Sequence, residues 1–184
     1  MIPIWFSVVL GIVLSISIAG TPAQYNPHLG LNKQDQDALA EHHLTVQNVR
    51  QMFAVDRELL QLLKDVPDLD ARAAEFERRF DSQRLGIVTV GTKVYEAMPE
   101  IAQILRKHKI SGRDYLLTKI AAMIAEISDG ALSAGAIQRE GMSEGFFSPA
   151  LKFWTAMDPA LKAEAAEWTG VRDELAKLGR HKVW

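Results

Sequence analysis

The sequence predicts an all-α fold: an irregular four- to five-helix bundle behind an N-terminal signal peptide. Three observations predict it. Apolar residues recur every three or four positions over most of the chain beyond residue 32. Cap residues and prolines punctuate these stripes where helices would begin. The one segment with strand propensity, residues 85–90 (LGIVTV), has no second strand to pair with, and a lone strand leaves its backbone groups unpaired.

Residues 1–23 (MIPIWFSVVLGIVLSISIAGTPA) carry no charged side chain and an apolar run from Ile4 to Ile18. Small residues in Ser17-Ile18-Ala19 and Thr21-Pro22-Ala23 suit a signal peptidase, so the segment reads as a cleaved secretory signal. The run of about 15 residues is short for a span of ~20. An uncleaved N-terminal anchor is the alternative. Residues 24–32 read as a linker, with Pro27, Gly30 and no periodicity. Residues 33–184 then form a single helical-bundle domain by length.

Asn32 is the first N-cap, with Asp35 and Asp37 placed for the positive end of a helix dipole. Leu39, His42, Val46, Val49, Phe53, Asp56, Leu60 and Leu63 alternate spacings of three and four, a heptad seam. Met52, Val55, Leu59, Leu62 and Val66 run beside it and widen the buried face. The pattern predicts one long helix that ends before Pro67. A second helix starts at Asp68 or Asp70 and runs through Ala73, Phe76 and Phe80. Phe80, Ile87, Val90 and Val94 keep helical spacing, so residues 85–90 are read as helix, weakened by Gly86 and Gly91.

Pro99 opens the next helix, whose apolar face is Ile101, Ile104 and Leu105. Ser111, with Asp114 three residues on, caps another that runs to about Leu132. Residues 136–147 (AIQREGMSEGFF) read as a loop. Ser148-Pro149 restarts a helix carrying Leu151, Trp154, Met157, Leu161, Ala165, Trp168, Val171, Leu175 and Leu178. The stripe keeps phase across Asp158-Pro159, which predicts one bent helix or two nearly coaxial ones. Gly179 closes it, and Arg180-His181-Lys182 suits the negative end of its dipole.

With 21 basic and 23 acidic residues the net charge is −2, which offers no electrostatic case for nucleic acid. The absence of cysteine excludes disulfides, thiolate metal sites, covalent haem attachment and cysteine nucleophiles. No serine-hydrolase elbow, phosphate-binding loop, dinucleotide fingerprint, zinc-protease helix or calcium loop occurs. No catalytic residue and no cofactor is therefore assigned.

His42 and His43 raise the question of a metal. Adjacent helical residues point about 100° apart, and metal-binding helices place ligands at i and i+3 or i+4. Neither histidine has a carboxylate or histidine there. His42 is read as a seam or helix-end residue and His43 as solvent-facing; a metal site completed by His108 or His28 is the alternative. Asp56 interrupts the seam and needs a partner. The reading is rotation to the edge of the face, with Arg57 or a cation from a neighbouring helix pairing it; a buried proton-transfer carboxylate is the alternative.

Arg106, Lys107 and Lys109, with Ser111 and Arg113, make a basic turn. The segment superficially resembles a helix-turn-helix, but its second helix turns apolar soon after Tyr115. The turn is read as solvated; an anion or lipid headgroup at the Ser111 cap is the functional alternative. Phe146, Phe147 and Trp154 are candidates to line an apolar pocket.

The runs LTVQNVRQMFAVDREL, MPEIAQILRKHKISGRDYLLTKIAAMIAE and SPALKFW resemble a loosely defined, uncharacterised group of small exported bacterial helical proteins. The resemblance spans roughly residues 44–161 in separated pieces. It implies export and an all-helical fold and carries no functional residue. The expectation is an exported, periplasmic, non-enzymatic binding or interaction protein. Its partner would be an envelope protein or a small apolar ligand, with membrane-surface contact open. The rivals are a bundle holding haem or a metal noncovalently through His or Met, and a hydrolase without a recognisable motif.

Overall fold

The structure, a computed structural model, describes residues 31–80, 82–133 and 148–179. The expected signal segment, nearly all of the linker, the loop 136–147 and residues 180–182 lie outside the described residues. Every regular element described is helical: α1 (Lys33–Glu41), α2 (Val46–Asp65), α3 (Leu69–Glu77), α4 (Ser82–Leu85), α5 (Ile87–Ala97), α6 (Pro99–Lys107), α7 (Gly112–Ser133), α8 (Ser148–Thr155) and α9 (Pro159–Leu178). The fold class is all-α, as the periodicity predicts. No described helix is long and apolar enough to cross a membrane.

The long first helix expected from the heptad seam is two helices. The Thr45 hydroxyl accepts from the Asn48 amide at 3.1 Å, and the Asn48 side chain accepts from the Thr45 amide at 2.8 Å. This reciprocal cap offers the backbone local partners that compete with helix continuation. The break shifts the phase. Val46, expected on the seam, is 40% exposed, while Leu44 in the link is buried. From Val49 onward the expected face holds: Val49, Met52, Phe53, Val55, Leu59, Leu60 and Leu63 are all buried. The helix stops with Val66 as C-cap, ahead of Pro67.

Helix α2 packs mainly against α9 and α7. Arg50 meets Glu164 at 2.9 Å, Arg57 meets Glu167 at 3.5 Å, and Lys64 meets Glu174 at 3.1 Å. Partners advance together along both helices, so α2 and α9 run parallel. Exposed pairs of this kind contribute little stability individually, but the series fixes register. Beneath it Phe53 stacks on Trp168 with centroids 5.3 Å apart. Leu161, Ala165, Trp168 and Leu175 form the buried stripe of α9.

Two glycines explain the ambiguous segment 85–90. Gly86 adopts φ +85° between α4 and α5, a conformation open mainly to glycine. A Cβ there would lie 2.5 Å from Asp35 Oδ1. Gly91 stays helical, and a Cβ on it would lie 2.8 Å from the Leu116 side chain on α7, so it permits close helix packing. Gly86→Ala is expected to lower stability by about 1–3 kcal/mol from backbone strain, with the Asp35 contact adding to the loss. Thermal unfolding of the variant beside the wild type checks this.

The C-terminal stripe is two helices as well. Asp158 accepts from the Leu161 amide at 2.8 Å and Pro159 occupies the first turn, which restarts the helix after Thr155. The halves have different neighbours: α8 packs on α7 and α9 on α2.

Candidate functional site

The polar groups most deeply set in the core centre on Asp56, which is fully buried. Its Oδ1 accepts from the Tyr115 hydroxyl and, at 3.0 Å, from Lys119 Nζ. Its Oδ2 accepts from the Trp168 indole N–H at 2.6 Å. Lys119 also donates to the Tyr115 oxygen at 3.0 Å. Tyr115 gives its single proton to Asp56, so its oxygen accepts from Lys119 and from Tyr95, to which it is hydrogen-bonded. One side chain each from α2, α5 and α9, and two from α7, thus meet in one closed network.

Burial first, and the Asp56 charge second, push both tyrosines far above the usual phenol range. They remain donors at any physiological pH. The expectation that Asp56 rotates to the edge of its face is corrected here. It points inward; of the two expected partners its cation is the one from a neighbouring helix, Lys119 of α7, while Arg57 pairs with Glu167. The reason is the neighbouring geometry. Tyr115 and Lys119 lie four residues apart on one buried face of α7 and present two donors together. Both carboxylate oxygens are engaged and all five side chains are buried, so the arrangement ties α2, α5, α7 and α9 together.

His42 is the C-cap of α1, and its Nε2 lies 2.9 Å from the Thr118 hydroxyl. His43 is exposed. His108 lies on α6's C-cap and bonds Glu58 at 2.7 Å, where Lys107 also binds. The structure therefore gives the two candidate histidines separate partners, and His28 lies outside the described residues. Among the described residues no group of three or more His, Asp or Glu side chains is placed to hold a metal ion.

Burial holds the His42 imidazole below its ordinary value; Asp114 partly opposes this and His43 adds to it. Above the ordinary histidine pKa of about 6.5 both folded and unfolded chains carry it neutral. As pH falls through that value the unfolded chain binds the proton first, so folding stability drops until the lower folded pKa is reached. Denaturant unfolding between about pH 7.5 and 5.5 is expected to lose more stability in the wild type than in His42→Gln.

The basic turn is shaped by Lys109, at φ +53°, and by the Ile110 amide reaching back to the Leu105 carbonyl at 3.2 Å. Lys107 is bound to Glu58. Ser111 accepts from the Asp114 amide at 3.0 Å and donates to the Asp114 carboxylate at 2.7 Å. The anion position at the start of α7 thus holds the protein's own carboxylate. Arg106, Lys109 and Arg113 remain as cations around it, and Arg113 acts at longer range on buried Asp35. Asp35 itself accepts from the Ile87 amide at 2.6 Å and ties α1 to the start of α5. Burial raises its carboxyl, offset in part by the Ile87 and Val88 amides.

Of the expected apolar-pocket residues, Phe146 and Phe147 lie outside the described residues. Trp154 is buried and lines a cleft of about 310 Å³ between α7, α8 and α9. Trp154, Met157 and Ala165 form its apolar part, and Glu126, Asp129, Lys162 and Thr169 bring polar groups to it. Glu126 is already engaged by Thr169 at 2.8 Å and by Arg172. Asp129 and Lys162 have no hydrogen-bond or ion-pair partner among the described residues. Trp154 also packs edge-on against Trp168, centroids 6.2 Å apart, which joins the cleft wall to the Asp56 network.

Sequence reasoning found Trp154 and Asp56 but missed Tyr115, Lys119, Asp129 and Lys162. Lys119 carried a usable signal: a cation on an otherwise apolar helix face, four residues after a tyrosine. Comparison with family models, curated proteins and solved structures finds no match to this chain.

Proposed function

We propose that the protein is an exported, non-enzymatic binding module of the cell envelope that takes a small ligand in the Trp154 cleft. In this reading the chain is an irregular four- to five-helix bundle, with the short helices as its caps and connections, released from a signal peptide. The resemblance to small exported helical proteins and the uncharged apolar leader support export.

The observation that carries the binding role is the cleft itself: an apolar floor of Trp154 and Met157 meets half-buried Asp129 and exposed Lys162, which have no ion-pair partner among the described residues. Ligand sites combine these same elements, a mostly apolar wall with a few convergent polar groups. A volume of about 310 Å³ sits at the low end of small-molecule pockets, about 300–1,000 Å³. It suits a small molecule over a partner helix, whose diameter alone is about 10–12 Å.

Mass spectrometry of protein purified natively from its source tests this. The expected result is a retained small molecule, present with the wild type and absent from Trp154→Ala of unchanged helicity. A wild type that retains nothing, or a ligand indifferent to Trp154→Ala, would count against the reading.

A further inference from the structure

We propose that α1 is an acid-released strap: protonation of His42 lifts Lys33–Glu41 off the bundle while the helices beneath it stay folded. The attachment of α1 is mostly polar. Asp35 and Leu39 are the buried residues of the helix. At its start the Asn32 side-chain amide donates to the Arg84 carbonyl at 3.4 Å, and Asp35 accepts from the Ile87 amide at 2.6 Å. At its end His42 Nε2 meets the Thr118 hydroxyl at 2.9 Å. By contrast α2 buries eight residues, and its N-terminus is capped by Thr45 and Asn48, with Asn48 reaching back no further than the His43 carbonyl. Departure of α1 therefore leaves α2 with its caps. Segments held by few apolar contacts are the ones that open locally.

The latch is the His42–Thr118 bond. Thr118 is fully buried, and its hydroxyl has no other hydrogen-bond partner among the described residues. With its proton on Nδ1 the neutral ring accepts the hydroxyl proton, which an imidazolium cannot do. In either tautomer protonation places a charge on a half-buried ring. Turning the ring outward alone would strand the Thr118 hydroxyl beneath α1; lifting α1 gives both groups water. Asp114 of α7, one turn before Thr118, favours the charge, but burial outweighs it and His43 opposes it. Helix α5, which also packs on α1, carries Lys93 and Glu96, and neither acts on His42; Lys93 lies over the Phe80 ring. Asp35 works in the opposite sense. Burial raises its carboxyl, with Arg113 of α7 and the Ile87 and Val88 amides resisting, so its protonation favours the docked strap.

Hydrogen–deuterium exchange read by mass spectrometry on the purified protein, corrected for the pH dependence of chemical exchange, tests the proposal. Between about pH 7.5 and 5.5 the protection of residues 33–41 is expected to fall severalfold. The ceiling is about tenfold, the full linkage of one histidine that titrates near 6.5 when released and well lower when docked. Protection of α2 and α7 is expected to hold. His42→Gln keeps a polar amide toward Thr118 but does not titrate, and it is expected to abolish the fall in residues 33–41. Both chains carry Asp35, so the difference between them belongs to His42.

Undiminished protection of residues 33–41 at the lower pH would overturn the proposal, as would an equal fall in His42→Gln or a fall shared by α2 and α7. Should His42→Gln not fold, Thr118→Val takes its place. That variant removes the partner of the ring, so exchange of residues 33–41 at the higher pH is expected to rise toward the wild-type level at the lower one. No change there would overturn the proposal as well.

Discussion

Asp56→Ala is expected to destabilise the fold by about 3–5 kcal/mol, the cost of breaking a buried ion pair from one side. The carboxylate is the single acceptor shared by Tyr115, Lys119 and Trp168. Its removal leaves a lysine of 6% exposure without its counter-charge and an indole N–H without an acceptor. The Lys119–Tyr115 bond survives but does not neutralise the ammonium. Urea unfolding followed by circular dichroism measures the loss. The double variant Asp56→Leu with Lys119→Met distinguishes charge from packing. It removes both charges and fills the space with apolar volume, so it is expected to recover a large part of the stability. A single variant within about 1 kcal/mol of wild type would mean that the network does not form.

Trp168→Ala is the second large effect, again about 3–5 kcal/mol, from truncation of a fully buried aromatic. Trp168→Phe separates the contributions of that side chain. Phenylalanine keeps apolar contact with Phe53 and Trp154 but cannot donate to Asp56. It is expected to cost about 1–3 kcal/mol, the range for a buried acceptor losing its donor. If Trp168→Phe were as damaging as Trp168→Ala, the hydrogen bond would outweigh the ring packing. If it were neutral, the Asp56 contact would carry no stability. Equilibrium denaturation of the two variants side by side decides between these outcomes.

The helical class was legible because apolar spacing is a local property, and most of the α2 and α9 buried faces follow from it directly. The breaks were harder to read. Thr45 and Asn48 interrupt a stripe whose spacing alone argues for continuity, since a reciprocal cap is a matter of two side chains and not of periodicity. Asp158-Pro159 is the same kind of case, a start signal set inside an unbroken stripe. Asp56 was visible as an oddity, but its partners come from α7 and α9. No single-helix pattern says which distant helix will face it. The cleft was not legible for the same reason: its lining comes from α7, α8 and α9, which meet only in three dimensions.

The parallel pairing of α2 with α9 has a consequence for how the chain reaches its native state. Its contacts join Arg50 to Glu164 and Lys64 to Glu174 across 114 and 110 positions. Non-local contacts of this kind slow folding, because the chain between them must be closed into a loop before they form. The α9-facing side of α2 is covered only once α9 docks, after α7 and α6 have come within reach of the same helix, so the Phe53–Trp168 centre closes late in the order of the chain.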